Sequence, residues 1–302
     1  MDTLSHYTSE TGLIGILREN SLRSTEYLSL NDTSEFGYAA NNILLDAIEW
    51  VFAHIGPQSF RENSYTAIKN GFLSEYISYL KKHSAETRGY GSLYITSFAK
   101  GRNEEENDHG ILSLWDRYTK NKGFCLQFSH DDVARLIHSE DSFYSFEKIG
   151  IADISYGVDK NSQDYKGMVE QSFINLLRFI YIRTNDERFL LRDQEISYDA
   201  TFLSKFLVYC STHKDPSFID EREARIFNFP LGFAIPKFCR TTLAKPISNQ
   251  DGKKYVTLGD TIRPGITPNR VIIGPLCETS IDEFRFRFPF IKHVLKSQIP
   301  IR

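Results

Sequence analysis

The sequence is short of the features that would place it at once. It has 4 cysteines, 2 methionines, 2 tryptophans and 10 prolines among 302 residues. Cys125, Cys210, Cys239 and Cys277 form no Cys-x-x-Cys pair and no Cys/His cluster at zinc-ligand spacing, so buried free thiols in a reducing compartment are expected rather than disulfides or metal ligands. Glycine-rich phosphate loops are missing, as are HExxH and GxSxG, which argues against P-loop NTPases, standard Rossmann dehydrogenases, zincins and α/β-hydrolases. No apolar run approaches the roughly 18 residues that span a bilayer, and Met1 to Tyr7 resembles no secretory leader. These absences lead us to expect a cytoplasmic protein without a membrane partner. Charge of one sign is also lacking. With 36 basic and 39 acidic side chains the net charge is −3, which offers no basic excess for binding a nucleic-acid backbone.

Aromatic residues, by contrast, are plentiful. The chain holds 23 Phe and 16 Tyr and is 41% hydrophobic, enough to build a substantial core and the reverse of a disordered composition. Apolar residues at helical spacing predict helices after Thr8 and Ser9, after Asn31-Asp32-Thr33-Ser34, over Tyr65 to Leu80, over Ile111 to Tyr118, over Asp164 to Arg183, over Asp199 to Cys210 and near Ser280. Alternating patterns predict strands at Leu4 to Tyr7, Ser21 to Leu30, Leu93 to Phe98, Gly123 to Phe128, Ile151 to Tyr156, Ala224 to Phe229, Tyr255 to Leu258, Val271 to Ile273 and His293 to Leu295. Lys100 to His109 reads as a charged loop. No repeat or Pro/Gly/Ser-rich linker divides the chain. The expected architecture is therefore one α+β domain over residues 1–302, with helical insertions at about 32–84 and 160–212.

Three segments place polar groups at strand ends. In His6-Tyr7-Thr8-Ser9, a histidine before a helix N-terminus can bond a ligand hydroxyl while Thr8 and Ser9 receive a phosphate or ribose; a core histidine and a simple helix cap explain the same residues. Asn31, Asp32 and Glu35 either cap a helix or form a loop over a pocket, with Tyr27 as a stacking residue. In Glu221-Arg222-Glu223-Ala224-Arg225, strand alternation would point residues 221, 223 and 225 the same way. Two carboxylates so placed repel unless a cation lies between them, and such a pair suits oxocarbenium stabilisation and proton abstraction at an N-glycosidic bond. Tyr94, Ser97, Trp115 and Tyr118 are further wall candidates for a nucleotide pocket.

His6-Tyr7-Thr8, residues 12–17, Leu30-Asn31-Asp32 with Glu35, Thr96-Ser97-Phe98, Leu114-Trp115 with Tyr118, Gly123-Phe124-Cys125 with Phe128, and Lys214 with Phe218, Glu221, Glu223 and Arg225 follow one another in order. In this order they resemble a bacterial family catalogued as domain of unknown function 2971. More distantly, an early His, a middle aromatic and a late Glu resemble the His-Tyr-Glu order of ADP-ribosyltransferases. That second resemblance implies a split β-sheet core and NAD as substrate, with no metal. It gives His6 the ribose, makes Glu223 or Glu221 the catalytic carboxylate, and leaves the stacking aromatic open among Tyr27, Tyr94 and Tyr118. It also implies transfer to a protein or nucleic-acid acceptor or hydrolysis of NAD, in the manner of a toxin or anti-phage effector. The alternatives are a nucleotide-binding module without chemistry and a metal-dependent nuclease built on Asp32, Glu35, Asp108, Glu221 and Glu223.

Overall fold

A computed structural model describes residues 3–29, 34–55, 92–185, 187, 200–234, 236–237, 240–259 and 265–300. In chain order the elements begin β1 (Thr3–Thr8), α1 (Glu10–Glu19), β2 (Leu22–Glu26), α2 (Ser34–Ile55), β3 (Tyr94–Ala99), α3 (Glu104–His109), α4 (Leu112–Thr119), β4 (Phe124–Ser129), α5 (His130–Phe143) and β5 (Tyr144–Asp153). They continue with β6 (Ser155–Tyr156), α6 (Gln163–Thr184), α7 (Ala200–Ser211), β7 (His213–Lys214), a 3₁₀ turn at Pro216–Glu221, β8 (Glu223–Pro230), β9 (Pro236–Lys237), β10 (Arg240–Thr241) and β11 (Leu243–Ala244). The last are β12 (Ser248–Gln250), β13 (Lys253–Leu258), β14 (Arg270–Ile273), α8 (Ile281–Arg287) and β15 (His293–Lys296).

The chain divides into two compact units, one of Met1–Leu30, Leu93–Ile154 and Phe218–Arg302, the other of Asn31–Ser92 and Ser155–Ser217. The second unit contains α2, α6 and α7, whose core joins Ile43, Leu44 and Ala47 to Leu176, Leu177 and Phe206. The first is mixed α and β, built on a large sheet with 11 strands among the described residues. One path through it runs β11-β5-β8-β3-β1-β4-β14-β15, and β2, β13 and β12 branch from β3. Among the described residues, only β11–β5 and β14–β15 are parallel in this sheet.

The branch at β3 is the feature that matters for the site. One edge of β3 pairs with β8 along its whole length, from Tyr94–Asn228 to Ala99–Glu223. The other edge pairs with β2 at Ile95 and Tyr94, and with β1 only at Ser5–Ala99. β1 then leaves β3 and continues along β4. The core face carries Leu4, Phe98, Leu126, Ala224, Ile226, Val271 and Ile273, all fully or nearly fully buried.

Local chemistry explains the departures from the predicted pattern. Residues 104–109 are helical rather than loop, because the Asn103 side chain accepts the Glu106 N–H and three glutamates occupy the first turn, where the helix dipole favours them. Helix α5, mostly polar in sequence, is capped by Ser129 and buries Val133 and Leu136. β5 starts at Tyr144 instead of Ile151, and β2 ends at Glu26, where Tyr27–Ser29 turns into a 3₁₀ helix. The helix predicted near Ser280 is α8, with Phe284 buried, its C-cap Phe288 buried four residues on, and Phe286 89% exposed. Residues 221, 223 and 225 do not form one continuous strand face. Glu221 ends the 3₁₀ turn, Arg222 takes a left-handed φ of 43°, and β8 begins at Glu223. The predicted helix at Tyr65 to Leu80 lies outside the described residues, as do Asn31 and Asp32.

Candidate functional site

Where β1 parts from β3, a cavity of about 90 Å³ opens between them. β1 lines it with Ser5, His6 and Tyr7, β3 with Ser97, Phe98 and Ala99, α4 with Leu114 and Tyr118, and the turn into β8 with Glu221 and Glu223. The strand register shows why the parting is needed. Ser5, Ala99 and Glu223 are laddered neighbours and share one sheet face, whereas His6 points to the face that holds Phe98. His6 and Glu223 line one space because the sheet is open at that point.

His6 Nδ1 lies 2.9 Å from the Ser97 carbonyl oxygen. A carbonyl only accepts, so Nδ1 carries the proton and Nε2 is left as an acceptor in the neutral ring. Burial holds the His6 imidazole below its ordinary value despite that bond. An edge-to-face contact with Phe98 at 5.9 Å fixes the ring from the side.

Both carboxylates are buried and each is met by an arginine. Arg225 donates from Nε to Glu223 Oε1 at 2.6 Å and from an Nη2 to Oε2 at 3.0 Å. Arg117, half-exposed on α4, forms an ion pair with Glu221 and lies over the Phe218 ring. Two acids in one cavity would each disfavour ionisation of the other, and the guanidinium groups relieve that repulsion. The left-handed residue between them is clasped as well. Arg222 donates from Nε to the Lys100 carbonyl at 2.8 Å and from Nη2 to Glu106 at 2.6 Å, and its own carbonyl accepts the Lys100 N–H at 3.0 Å.

Tyr7 supports the opposite wall. Its hydroxyl accepts the Ile111 N–H at 2.6 Å, and its ring meets Trp115 edge-on at 5.0 Å. Trp115 is fully buried and donates to the His109 carbonyl, so it is a prop beneath α4 and not a stacking surface. Tyr118, 48% exposed, is the aromatic of the three candidates that stands at the cavity. Tyr27 and Tyr94 are buried away from it, Tyr27 bonding its N–H to the Leu93 carbonyl and Tyr94 opening β3. Ser9 caps α1 by accepting the Gly12 N–H, and the Thr8 hydroxyl occupies the space a side chain at position 12 would need. Glu35 lies in α2, in the other unit, and its side chain is not among those described. Asp108 pairs with Arg270 and lines a different cavity from Glu221 and Glu223. The pairing of Arg117 with Glu221 and the clasp made by Arg222 were not read from the sequence; the signal for Arg222 is its place between Glu221 and Glu223.

Residues 114–226 match the family described as Protein of unknown function (DUF2971). The matched span runs from α4 to β8 and so contains Trp115, Tyr118, Glu221, Glu223 and Arg225. It leaves out His6 and Ser97. No curated protein and no solved structure matches the chain significantly. Among the described residues no helix is long and apolar enough to cross a membrane.

Proposed function

We propose that the protein cleaves the N-glycosidic bond between nicotinamide and ribose in NAD, passing ADP-ribose to a protein or nucleic-acid acceptor or to water. The observation that supports this reading is the convergence of His6, Tyr118, Glu221 and Glu223 on one cavity. Glu223, kept ionised by Arg225, lies beside the anomeric carbon and stabilises the positive charge that grows on the ribose as nicotinamide departs with the bonding electron pair. Glu221 takes the proton from the incoming hydroxyl, amine or water, whose lone pair forms the new bond to that carbon. His6 accepts a ribose hydroxyl through Nε2, and Tyr118 flanks the departing ring. The cavity is smaller than the roughly 150 Å³ that holds a benzene ring, so the reacting ring enters in part and the rest of the dinucleotide lies across the mouth.

The test is incubation of the purified protein with NAD, reading nicotinamide release beside the Glu223→Gln variant. Release by the wild type and its loss in a variant that still unfolds cooperatively support the reading; release that survives Glu223→Gln refutes the assignment. A second reading is favoured by the arginine pairing itself, which occupies both carboxylates. In that reading the pocket binds a nucleotide without turnover, and NAD protects against thermal unfolding while no nicotinamide appears.

A further inference from the structure

A second and larger cavity, of about 590 Å³, lies in the same unit at the opposite end of β1. Its floor is the start of β1, β14 and β15 together with the end of β4, and α3 forms one wall. Thr3 lines this cavity and Ser5 the first, so two strand residues, about 7 Å, separate the nearest lining of the two. Nothing in the proposed chemistry uses it.

The lining is polar, and its charges are ordered. Glu104 and Asp108 are four residues apart on α3 and therefore share one face of that helix. Arg270 and His293 are register partners on parallel strands, so their side chains stand next to each other on the floor. An ion pair of 2.5 Å between Arg270 Nη1 and Asp108 Oδ1 ties wall to floor while leaving half of the Asp108 side chain and about a third of Arg270 in contact with solvent. The pairing takes up the positive charge that a phosphate would seek, and the remaining carboxylate, Glu104, is exposed to solvent at the start of α3. What the pair presents instead is a fixed carboxylate acceptor beside a fixed guanidinium donor, with the Asn269 carboxamide close by. Phe128, the only aromatic carbocycle in the lining, is 1% exposed and offers no stacking surface.

We infer that this cavity binds a neutral ligand carrying vicinal hydroxyls, the chemistry shared by a free sugar and by the ribosyl part of a nucleoside. One hydroxyl donates to Asp108 while its neighbour accepts from Arg270, and each contact replaces water with a charge-assisted hydrogen bond. The ion pair stays intact, because Asp108 has a second oxygen and the guanidinium has further N–H groups.

The test is a calorimetric titration of the full chain with adenosine, 2′-deoxyadenosine and D-ribose. Adenosine should bind, and 2′-deoxyadenosine, which lacks the vicinal pair, should bind at least about tenfold more weakly. D-ribose matching adenosine assigns the site to a sugar; D-ribose much weaker assigns it to a nucleoside; both outcomes support the inference. Asp108→Asn, which keeps the shape of the side chain, should weaken adenosine by about tenfold. Equal binding of the deoxy analogue, indifference to Asp108→Asn, or no binding at about 10 mM overturns it. NAD turnover by the Asp108→Asn protein should match that of the wild type, so this result stands or falls separately from the proposed chemistry.

Discussion

Arg225 grips Glu223 through two parallel hydrogen bonds, from two positions further along the same face of β8. Both side chains are about 95% buried. Two charges removed from water in this way hold one another, and neither tolerates the loss of its partner.

Arg225→Met should therefore destabilise the protein by about 3–5 kcal/mol, because Glu223 is left as a buried charge. Glu223→Gln in the same background should recover part of that loss. Urea unfolding of the two single variants and the double variant measures the coupling; additive effects would show that the pair is not a unit.

Arg222 combines a strained backbone with a useful side chain, and two substitutions separate them. Arg222→Ala keeps the left-handed φ of 43° and loses the bonds to Glu106 and Lys100, which should cost about 1–3 kcal/mol. Arg222→Gly loses the same bonds but relieves about 1 kcal/mol of backbone strain. The glycine variant should be the more stable of the two by thermal unfolding. The reverse order would mean the turn relaxes when the side chain is cut.

His6 gives the native state a pH dependence of known sign. Its pKa in the folded protein lies below the ordinary 6.5 because of burial, so on acidification the unfolded chain takes up the proton first. The stability that neutral His6 contributes is full above about pH 6.5 and is lost as the pH falls from there toward the folded value. His213 is shifted the same way, so the comparison must be with His6→Asn. The stability difference between wild type and variant should shrink between about pH 7.5 and about pH 5.5; a constant difference would contradict the burial of the ring.

Tyr7→Phe keeps the edge contact with Trp115 and removes the acceptor of the Ile111 N–H. An amide left unpaired should cost about 1–3 kcal/mol, seen as a lower urea midpoint, and faster hydrogen exchange at Ile111 should accompany it.

Much of the strand pattern was legible where apolar side chains recur at every second position on the core face, as Phe124, Leu126 and Phe128 in β4 and Val271 and Ile273 in β14 show. The match over residues 114–226 likewise agrees with the short motifs read from Leu114 onward. What escaped was decided by single local bonds. The Asn103 cap turns a run of glutamates into α3, and the left-handed Arg222 breaks what alternation reads as one strand. Tyr27, Tyr94 and Tyr118 are alike in sequence, and only the packing of α4 puts Tyr118 at the cavity. The polar cavity under α3 could not be foreseen at all, since Asp108 and Arg270 meet across more than 160 positions of chain.

The sheet closes behind each excursion into the second unit. The Tyr27 N–H bonds to the Leu93 carbonyl at 2.9 Å, just outside the first excursion, and the Ile154 N–H bonds to the Glu223 carbonyl at 2.9 Å, just outside the second. What is spliced between such clasped ends costs the sheet little, because closing a loop twice as long adds only about 0.6 kcal/mol. The segments Asn31–Ser92 and Ser155–Ser217 thus occupy permissive ground, where the chain is free to be lengthened, trimmed or exchanged for another module while the cavity-bearing framework keeps its register.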